Sequence, residues 1–239
     1  ILAHAWTRRA RERDALPRCD SRALRRLEDL LNPRPGQTGS TPIDAVQQMQ
    51  HQAWQEYRRN GFQWRVSDLV TVGSPLAHAA WLLNLDADTR FEDLKRERSM
   101  PTCPPQTEDR KSPRPGAIRR VFTFTHAIED PQRPKASRSV QLPHHAGLFA
   151  LTRWTNLFFP HHGLLQGDPI AGPLQAVFGD WIKDVPLDRT GGFAHGRYTD
   201  RAREPQAVDA VRKALNLPLQ RALQDHADDA AAVARAKRR

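Results

Sequence analysis

The segment from Trp64 to Leu76, Trp-Arg-Val-Ser-Asp-Leu-Val-Thr-Val-Gly-Ser-Pro-Leu, constrains the fold more than any other part of this chain. Residues 66–72 are short, β-branched and apolar, which predicts a buried strand. The strand has to end at Gly73-Ser74-Pro75, because glycine permits a backbone bend and proline cannot continue strand pairing. A helical pattern over residues 43–60 precedes it. A helix followed by a buried strand and a tight turn is typical of an α/β sheet.

Length and composition limit the class of protein. The chain has 239 residues, enough for one large domain or two small ones. Hydrophobic residues make up 38% of it and the mean hydropathy is −0.69, so we expect a small core and long loops. No stretch approaches the roughly 20 apolar residues that span a bilayer, and the first residues resemble no signal peptide. Cys19 and Cys103 lack metal-ligand spacing and make no disulfide framework. We therefore expect no transmembrane segment and a cytoplasmic, reducing location.

The chain is strongly basic, with a formal net charge of +10. This charge has two interpretations: attraction to nucleic acid or an anionic membrane surface, or arginines spread over solvated surfaces. No zinc-finger spacing and no RNP-type aromatic pattern accompanies the charge. The scattered arginines therefore favour the second interpretation, and nucleic acid is the less favoured partner.

The rest of the chain alternates helices, strands and long polar segments. We predict helices at 22–31, 43–60 and 205–223, and a short helix at 78–85 that buries Trp81 and Leu82. We predict strands at 120–125 and 152–159, and a weak strand or an extended segment at 181–187. Residues 129–137 are predicted to be a polar loop. The Pro-rich segment 86–116 is either a disordered insert or a lid over a site. Residues 224–239 are predicted to be a charged, fraying tail.

Two further motifs follow the Gly-Ser-Pro turn. Residues 153–160 are Arg-Trp-Thr-Asn-Leu-Phe-Phe-Pro, followed by Gly-Asp-Pro-Ile-Ala-Gly at 167–172, and residues 192–199 are Gly-Phe-Ala-His-Gly-Arg-Tyr-Thr. Together with the Gly-Ser-Pro turn, these motifs resemble the lipase-like α/β-hydrolases over residues 60–200. The resemblance implies an α/β fold: a partial open, mostly parallel sheet flanked by helices, with long Pro-rich inserts. It also implies that Asp168 is the acid and His195 the histidine of a catalytic triad, in that family's chain order.

Serine hydrolase chemistry explains why these residue types are needed. A serine hydroxyl is a poor nucleophile unless an imidazole takes its proton and later returns it to the leaving group. The imidazole needs a carboxylate on its other nitrogen to fix the tautomer and stabilise the cation. Simpler interpretations stay open. His195 is a loop histidine packed against Tyr198, or Asp168 is an ordinary turn residue. Three neighbouring aspartates are alternative acids: Asp180, Asp184 and Asp188.

The nucleophile is missing from the resemblance. The family holds its serine in a Gly-x-Ser-x-Gly elbow, and residues 1–239 contain no such motif. Because the first residue is Ile1 and not Met, the favoured interpretation is a fragment whose elbow lies upstream. One alternative is a degenerate hydrolase without a nucleophile, in which Gly39-Ser40 marks a lost elbow. The other is Ser74 as the nucleophile, although the family pattern makes that serine structural.

Two His-His pairs raise the question of a metal site. Pro143-His144-His145 and Pro160-His161-His162 are near copies, and their imidazoles together with Asp168 are zinc ligands by type. Adjacent histidines rarely direct both rings at one ion, and no His-x-x-x-His or Cys spacing supports a site. We therefore expect no metal and no cofactor.

The resemblance organises these expectations. Residues 1–203 are expected to be an α/β-hydrolase-like domain that lacks its N-terminal strands and contains the insert 86–116. Residues 204–239 are expected to be a C-terminal helix and charged tail. The predicted activity is hydrolysis of a small-molecule or lipid ester, of the esterase or lipase type, through an acyl-serine intermediate. The alternative is a non-catalytic, hydrolase-derived protein that binds partners or nucleic acid through an Arg-rich surface.

Overall fold

The computed structural model describes a large part of the chain. The described residues are 22–33, 36, 39–59, 64–83, 88–112, 116–130, 133–143, 145–161, 167–188, 194–200 and 204–215. Some predictions concern residues outside these ranges: the N-terminal segment 1–21, His144 and His162 of the histidine pairs, residues 189–193 before His195, and the tail 216–239.

Helices and strands alternate along the described ranges. The helices are α1 (Arg22–Leu31), α2 (Ile43–Arg59), α3 (Ala79–Leu82), α4 (Asp88–Arg96), α5 (Gln175–Phe178) and α6 (Pro205–Ala214), with 3-10 turns at Pro75–His78, His145–Ala150 and His195–Arg197. The strands are β1 (Asp68–Val72), β2 (Glu108–Lys111), β3 (Ile118–Val121), β4 (Thr123–Asp130), β5 (Arg133–Pro143), β6 (Arg153–Phe158) and β7 (Ile182–Pro186). Among these helices, none combines the length and apolar character that crossing a membrane requires.

Three parallel strands form one sheet in the order β1-β6-β7. The central strand β6 is buried at every residue from Trp154 to Phe158, because the inner strand of a parallel sheet is covered on both faces. The register places Thr71 beside Asn156, and Asn156 beside Asp184. The protein is therefore of α/β type with a small parallel sheet, built from the strands predicted at 66–72, 152–159 and 181–187. The other four described strands form two antiparallel pairs, β2-β3 and β4-β5.

Alternate strand residues supply two hydrophobic clusters. Trp154 and Ile182 belong to one cluster, together with Leu27 of α1. Leu157 belongs to the other, together with Ala207 of α6. Each large apolar side chain buried in this way contributes about 1.5–3 kcal/mol relative to an exposed one. The helix that follows the predicted boundary at residue 203 thus packs against the sheet that precedes it.

The helix after the Gly-Ser-Pro turn differs from its prediction. Trp81 is 80% exposed and Leu82 is 50% exposed, so the prediction that this helix buries both side chains is wrong. The helix α3 has only four residues, and its buried residue is Ala79. A single short turn has room for one inward position, and the alanine occupies it.

The segment predicted to be a Pro-rich insert is ordered over residues 88–112. Phe91 of α4 packs edge-on against Phe178 at a centroid distance of 5.8 Å. The backbone N–H of Cys103 donates to the carbonyl of Phe178 at 2.7 Å, and the Cys103 side chain is fully buried. A disordered insert is therefore wrong for these residues, because isolated apolar side chains within a polar segment attach it to the core.

The polar loop predicted at 129–137 is also wrong. The described residues of this segment, 129–130 and 133–137, belong to the antiparallel pair formed by β4 and β5. Its backbone hydrogen bonds form irrespective of side-chain polarity, so a polar composition does not exclude a hairpin. The strand predicted at 120–125 is divided between β3 and β4.

Candidate functional site

Asp168 and His195 lie side by side beyond the carboxyl ends of β1 and β6. His195 Nδ1 is 3.0 Å from Asp168 Oδ2. The Asp168 side chain is fully buried, whereas the His195 side chain is 50% exposed. The backbone N–H of Asp168 donates to the carbonyl of Phe159, the residue that follows β6. The two residues predicted from the sequence are thus brought together, 27 positions apart in the chain.

The Asp168 carboxylate accepts hydrogen bonds on both oxygens. Oδ1 accepts from the backbone N–H groups of Ile170 at 3.0 Å and Ala171 at 3.4 Å, and Oδ2 also accepts from the Tyr198 hydroxyl at 2.8 Å. Burial raises the pKa of Asp168, but the bonds from Tyr198, His195 and Ile170 outweigh it, so this pKa is lower than usual. Asp168 is therefore an ionised acceptor at neutral pH, and His195 Nδ1 has to be the donor.

Gly73 of the Gly-Ser-Pro turn makes room for Tyr198. A Cβ atom at residue 73 would lie 2.4 Å from Tyr198 Cε2, which is far inside van der Waals contact. Gly73 also has φ +59°, the left-handed region in which a side chain is disfavoured. The turn that ends β1 is thus in direct contact with a side chain that bonds Asp168. The sequence motif singled out both elements but did not predict this contact.

Asn156 holds the loop that carries Asp168. Its fully buried side chain donates from Nδ2 to the carbonyl of Gly172 at 3.0 Å and to Asp184 Oδ1 at 2.7 Å. Its Oδ1 accepts from the Thr71 hydroxyl at 2.9 Å. The sequence did not indicate that Asn156 supports the site, although the motif Trp-Thr-Asn of β6 contains it.

Asp184 has a different environment from Asp168. Its carboxylate accepts from the backbone N–H groups of Leu174 at 3.0 Å and Gln175 at 2.9 Å. These bonds attach the start of α5 to β7, so Asp184 acts within the scaffold. Asp168 is the aspartate that hydrogen-bonds His195 in the described part of the chain, which argues against Asp184, Asp180 and Asp188 as the acid.

Ser74 is engaged in a cap. Its Oγ accepts from the backbone N–H of Leu76 at 3.3 Å and caps the 3-10 turn Pro75–His78. Within the described ranges, no serine, threonine or cysteine side chain hydrogen-bonds His195. Burial raises the pKa of the Cys103 thiol to about 12, so that thiol is not a nucleophile at neutral pH.

The described histidines do not lie in a cluster of metal-ligand side chains. Among the residues that the structure describes, no group of three or more histidine, cysteine, aspartate or glutamate side chains could hold a metal ion. His161 is exposed beside Pro160.

Comparison with known proteins finds no matching family model, no matching curated protein and no matching solved structure. The interpretation of the site therefore depends on its own geometry and chemistry.

Proposed function

We propose that Asp168 and His195 are the acid and the general base of a serine hydrolase that cleaves a small-molecule or lipid ester. The observation that supports this proposal is the 3.0 Å contact between His195 Nδ1 and a fully buried, ionised carboxylate, with half of the imidazole exposed. A buried carboxylate fixes one ring nitrogen as the donor. The other nitrogen, Nε2, then presents a lone pair to a reactant.

Each residue has a defined part in this reaction. His195 Nε2 takes the proton from a serine hydroxyl as that oxygen attacks the ester carbonyl, and it later gives the proton to the departing alkoxide. Asp168 holds the Nδ1–H tautomer and stabilises the imidazolium while the proton is on the ring. The nucleophile in this reaction is a serine that lies outside the described residues. Water, deprotonated by the same imidazole, then releases the acid product.

The experiment is labelling of the full-length gene product with a fluorophosphonate probe, which reacts with activated serines. His195→Ala should abolish labelling. Asp168→Asn should slow it by about 10⁴, because the amide favours the wrong imidazole tautomer. His161→Ala is the matched control, since it removes an exposed histidine that follows β6 at the same edge of the sheet. Labelling that survives His195→Ala, or a folded wild type that does not label, refutes the proposal.

A second function follows if the wild type does not label. The sequence has a formal net charge of +10, and no described hydroxyl or thiol side chain bonds His195. These observations favour a hydrolase-derived protein that binds a polyanion such as nucleic acid. The measurement is the affinity for RNA and DNA against salt concentration, where displaced counterions produce a steep linear loss on logarithmic axes. A flat salt dependence would reject this second function.

A further inference from the structure

We propose that Tyr198 is a positioning residue of the site, and that its hydroxyl holds the Asp168 carboxylate in the orientation that accepts the Nδ1–H of His195. The value of this positioning for catalysis depends on the proposed function. The effect of the Tyr198 hydroxyl on the tautomer ratio of the His195 imidazole can be measured without any enzyme activity.

The local backbone explains why Tyr198 and His195 reach the same carboxylate. His195 begins the 3-10 turn His195–Arg197, and Tyr198 follows it as the C-cap. Side chains three residues apart in a 3-10 turn are eclipsed, because the turn has three residues per revolution. Both side chains therefore extend from the same face of the turn. They meet at one atom, Asp168 Oδ2, at 2.8 Å from the Tyr198 hydroxyl and 3.0 Å from His195 Nδ1.

The carboxylate is held on both sides. The backbone N–H groups of Ile170 and Ala171 hold Oδ1, and Tyr198 holds Oδ2. Rotation of the carboxylate about its bond to Cβ would break bonds at both oxygens. Without the Tyr198 hydroxyl, His195 would be the one described side chain that bonds Oδ2. Because the His195 side chain is half exposed, it would hold the carboxylate less firmly than the buried Tyr198 does.

Tyr198 is itself rigidly placed. Its side chain is buried, and its ring packs against the ring of Phe159 at a centroid distance of 4.6 Å. The hydroxyl accepts the backbone N–H of Phe159 at 3.1 Å. Since the lone pair on that side is occupied, the hydroxyl proton is directed at Asp168. Burial raises the pKa of Tyr198 well above its usual value, and Asp168 adds to this increase, so the hydroxyl keeps its proton across the working range of an enzyme.

The test is Tyr198→Phe, read by nitrogen-15 NMR of the His195 ring at a pH where the imidazole is neutral. The ring signals report the ratio of the two tautomers directly. The wild type should hold His195 almost entirely as the Nδ1–H form. The variant should increase the Nε2–H form by about 2- to 10-fold, the change expected for loss of one hydrogen bond. An unchanged ratio would overturn the proposal.

The chain offers a matched control, because it has two tyrosines. Tyr57 of α2 is as buried as Tyr198 and belongs to the other hydrophobic cluster. Tyr57→Phe removes a buried hydroxyl without touching Asp168, so the tautomer ratio of His195 should stay at its wild-type value. If Tyr198→Phe does not fold, Gly73→Ala makes the same test. It keeps the hydroxyl and displaces the ring, and it should shift the ratio in the same direction.

Fluorophosphonate labelling of the same variants separates this proposal from the proposed function. We expect labelling of Tyr198→Phe to be about tenfold slower than labelling of the wild type, because a carboxylate that is free to rotate also misaligns the imidazole, and misaligned catalytic groups lose rate. Tyr57→Phe should label at the wild-type rate. A wild type that does not label refutes the hydrolase, and the NMR ratio still decides what Tyr198 does. Labelling of Tyr198→Phe at the wild-type rate overturns the positioning role in a working hydrolase.

Discussion

Replacing the fully buried Asn156 by alanine should destabilise the protein by about 3–5 kcal/mol, because its three hydrogen-bond partners each lose a donor or an acceptor. The carbonyl of Gly172 is buried and loses its 3.0 Å bond, which costs about 1–3 kcal/mol. The 2.7 Å bond to Asp184 is charge-assisted and contributes about 1.5–3 kcal/mol. The Thr71 hydroxyl loses its acceptor as well. The Asp168 loop thereby loses its attachment to β6 through Gly172, although the backbone bond from Asp168 to Phe159 remains.

Asn32 is a matched control for this experiment. It also makes three hydrogen bonds: Nδ2 to the carbonyls of Glu28 at 2.6 Å and Arg120 at 2.9 Å, and Oδ1 from the Arg120 backbone N–H at 2.8 Å. The two bonds to Arg120 lie in an exposed position, where water replaces the lost side chain, so Asn32→Ala should cost about 1 kcal/mol. Urea unfolding followed by tryptophan fluorescence measures both variants. Equal costs for Asn32→Ala and Asn156→Ala would refute the argument that burial determines the penalty.

Three further predictions concern other buried groups. The Cys103 thiol, with its pKa raised by burial to about 12, should resist iodoacetamide at pH 8 until the protein is unfolded, and rapid labelling of its peptide in the native state would contradict this. Gly73→Ala should lower the free energy of unfolding by at least about 2 kcal/mol, through left-handed backbone strain and the clash with Tyr198. Gly116→Ala, at φ +76° with no atom within 4 Å, should lower it by about 1 kcal/mol. Equal losses of stability in the two variants would refute the clash. Burial raises the pKa of Glu28, so its contribution to stability is present at acidic pH and is lost as pH rises through that pKa. Glu28→Gln should therefore gain stability relative to the wild type as pH rises above the ordinary glutamate pKa of 4.5, and a stability difference that does not change with pH would refute the raised pKa.

The parallel sheet could be predicted because its signals are local. The β-branched run before Gly73 and the apolar stretch around Trp154 are each typical of a strand, and both are followed by turn residues. Register could not be predicted in the same way. It depends on which residues of β1 and β6 pair across more than 80 positions of sequence, and no pattern within either strand specifies that.

The hairpin β4-β5 and the segment 88–112 show the opposite case. Both are rich in polar and charged residues, so composition favoured loops. The hairpin satisfies its backbone groups by strand pairing, and Phe91 and Cys103 attach the second segment to the core. A few apolar anchors decide the structure of such segments, and averages over a window conceal them.

The two side chains that meet at the candidate site could be predicted from the sequence, but the residues that hold them in place could not. The sequence predicts Asp168 and His195 because the motifs that contain them resemble, in the same chain order, those of a family of hydrolases. Asn156 and Gly73 act through partners that come from other strands and loops, such as Gly172 and Tyr198. Such partners are set by the fold, and a single sequence does not reveal them.

Asp168 and Asp184 therefore have different hydrogen-bond environments in the structure. Asp184 is the central residue of β7 and accepts hydrogen bonds from two backbone N–H groups and one side-chain amide, all from the scaffold. Asp168 receives two backbone N–H groups on one oxygen, and its other oxygen faces Tyr198 and the half-exposed His195. A carboxylate whose partners are all fixed stabilises the fold. A carboxylate that shares an oxygen with a solvent-accessible imidazole controls where that imidazole holds its proton, and this control is the property that a general base requires.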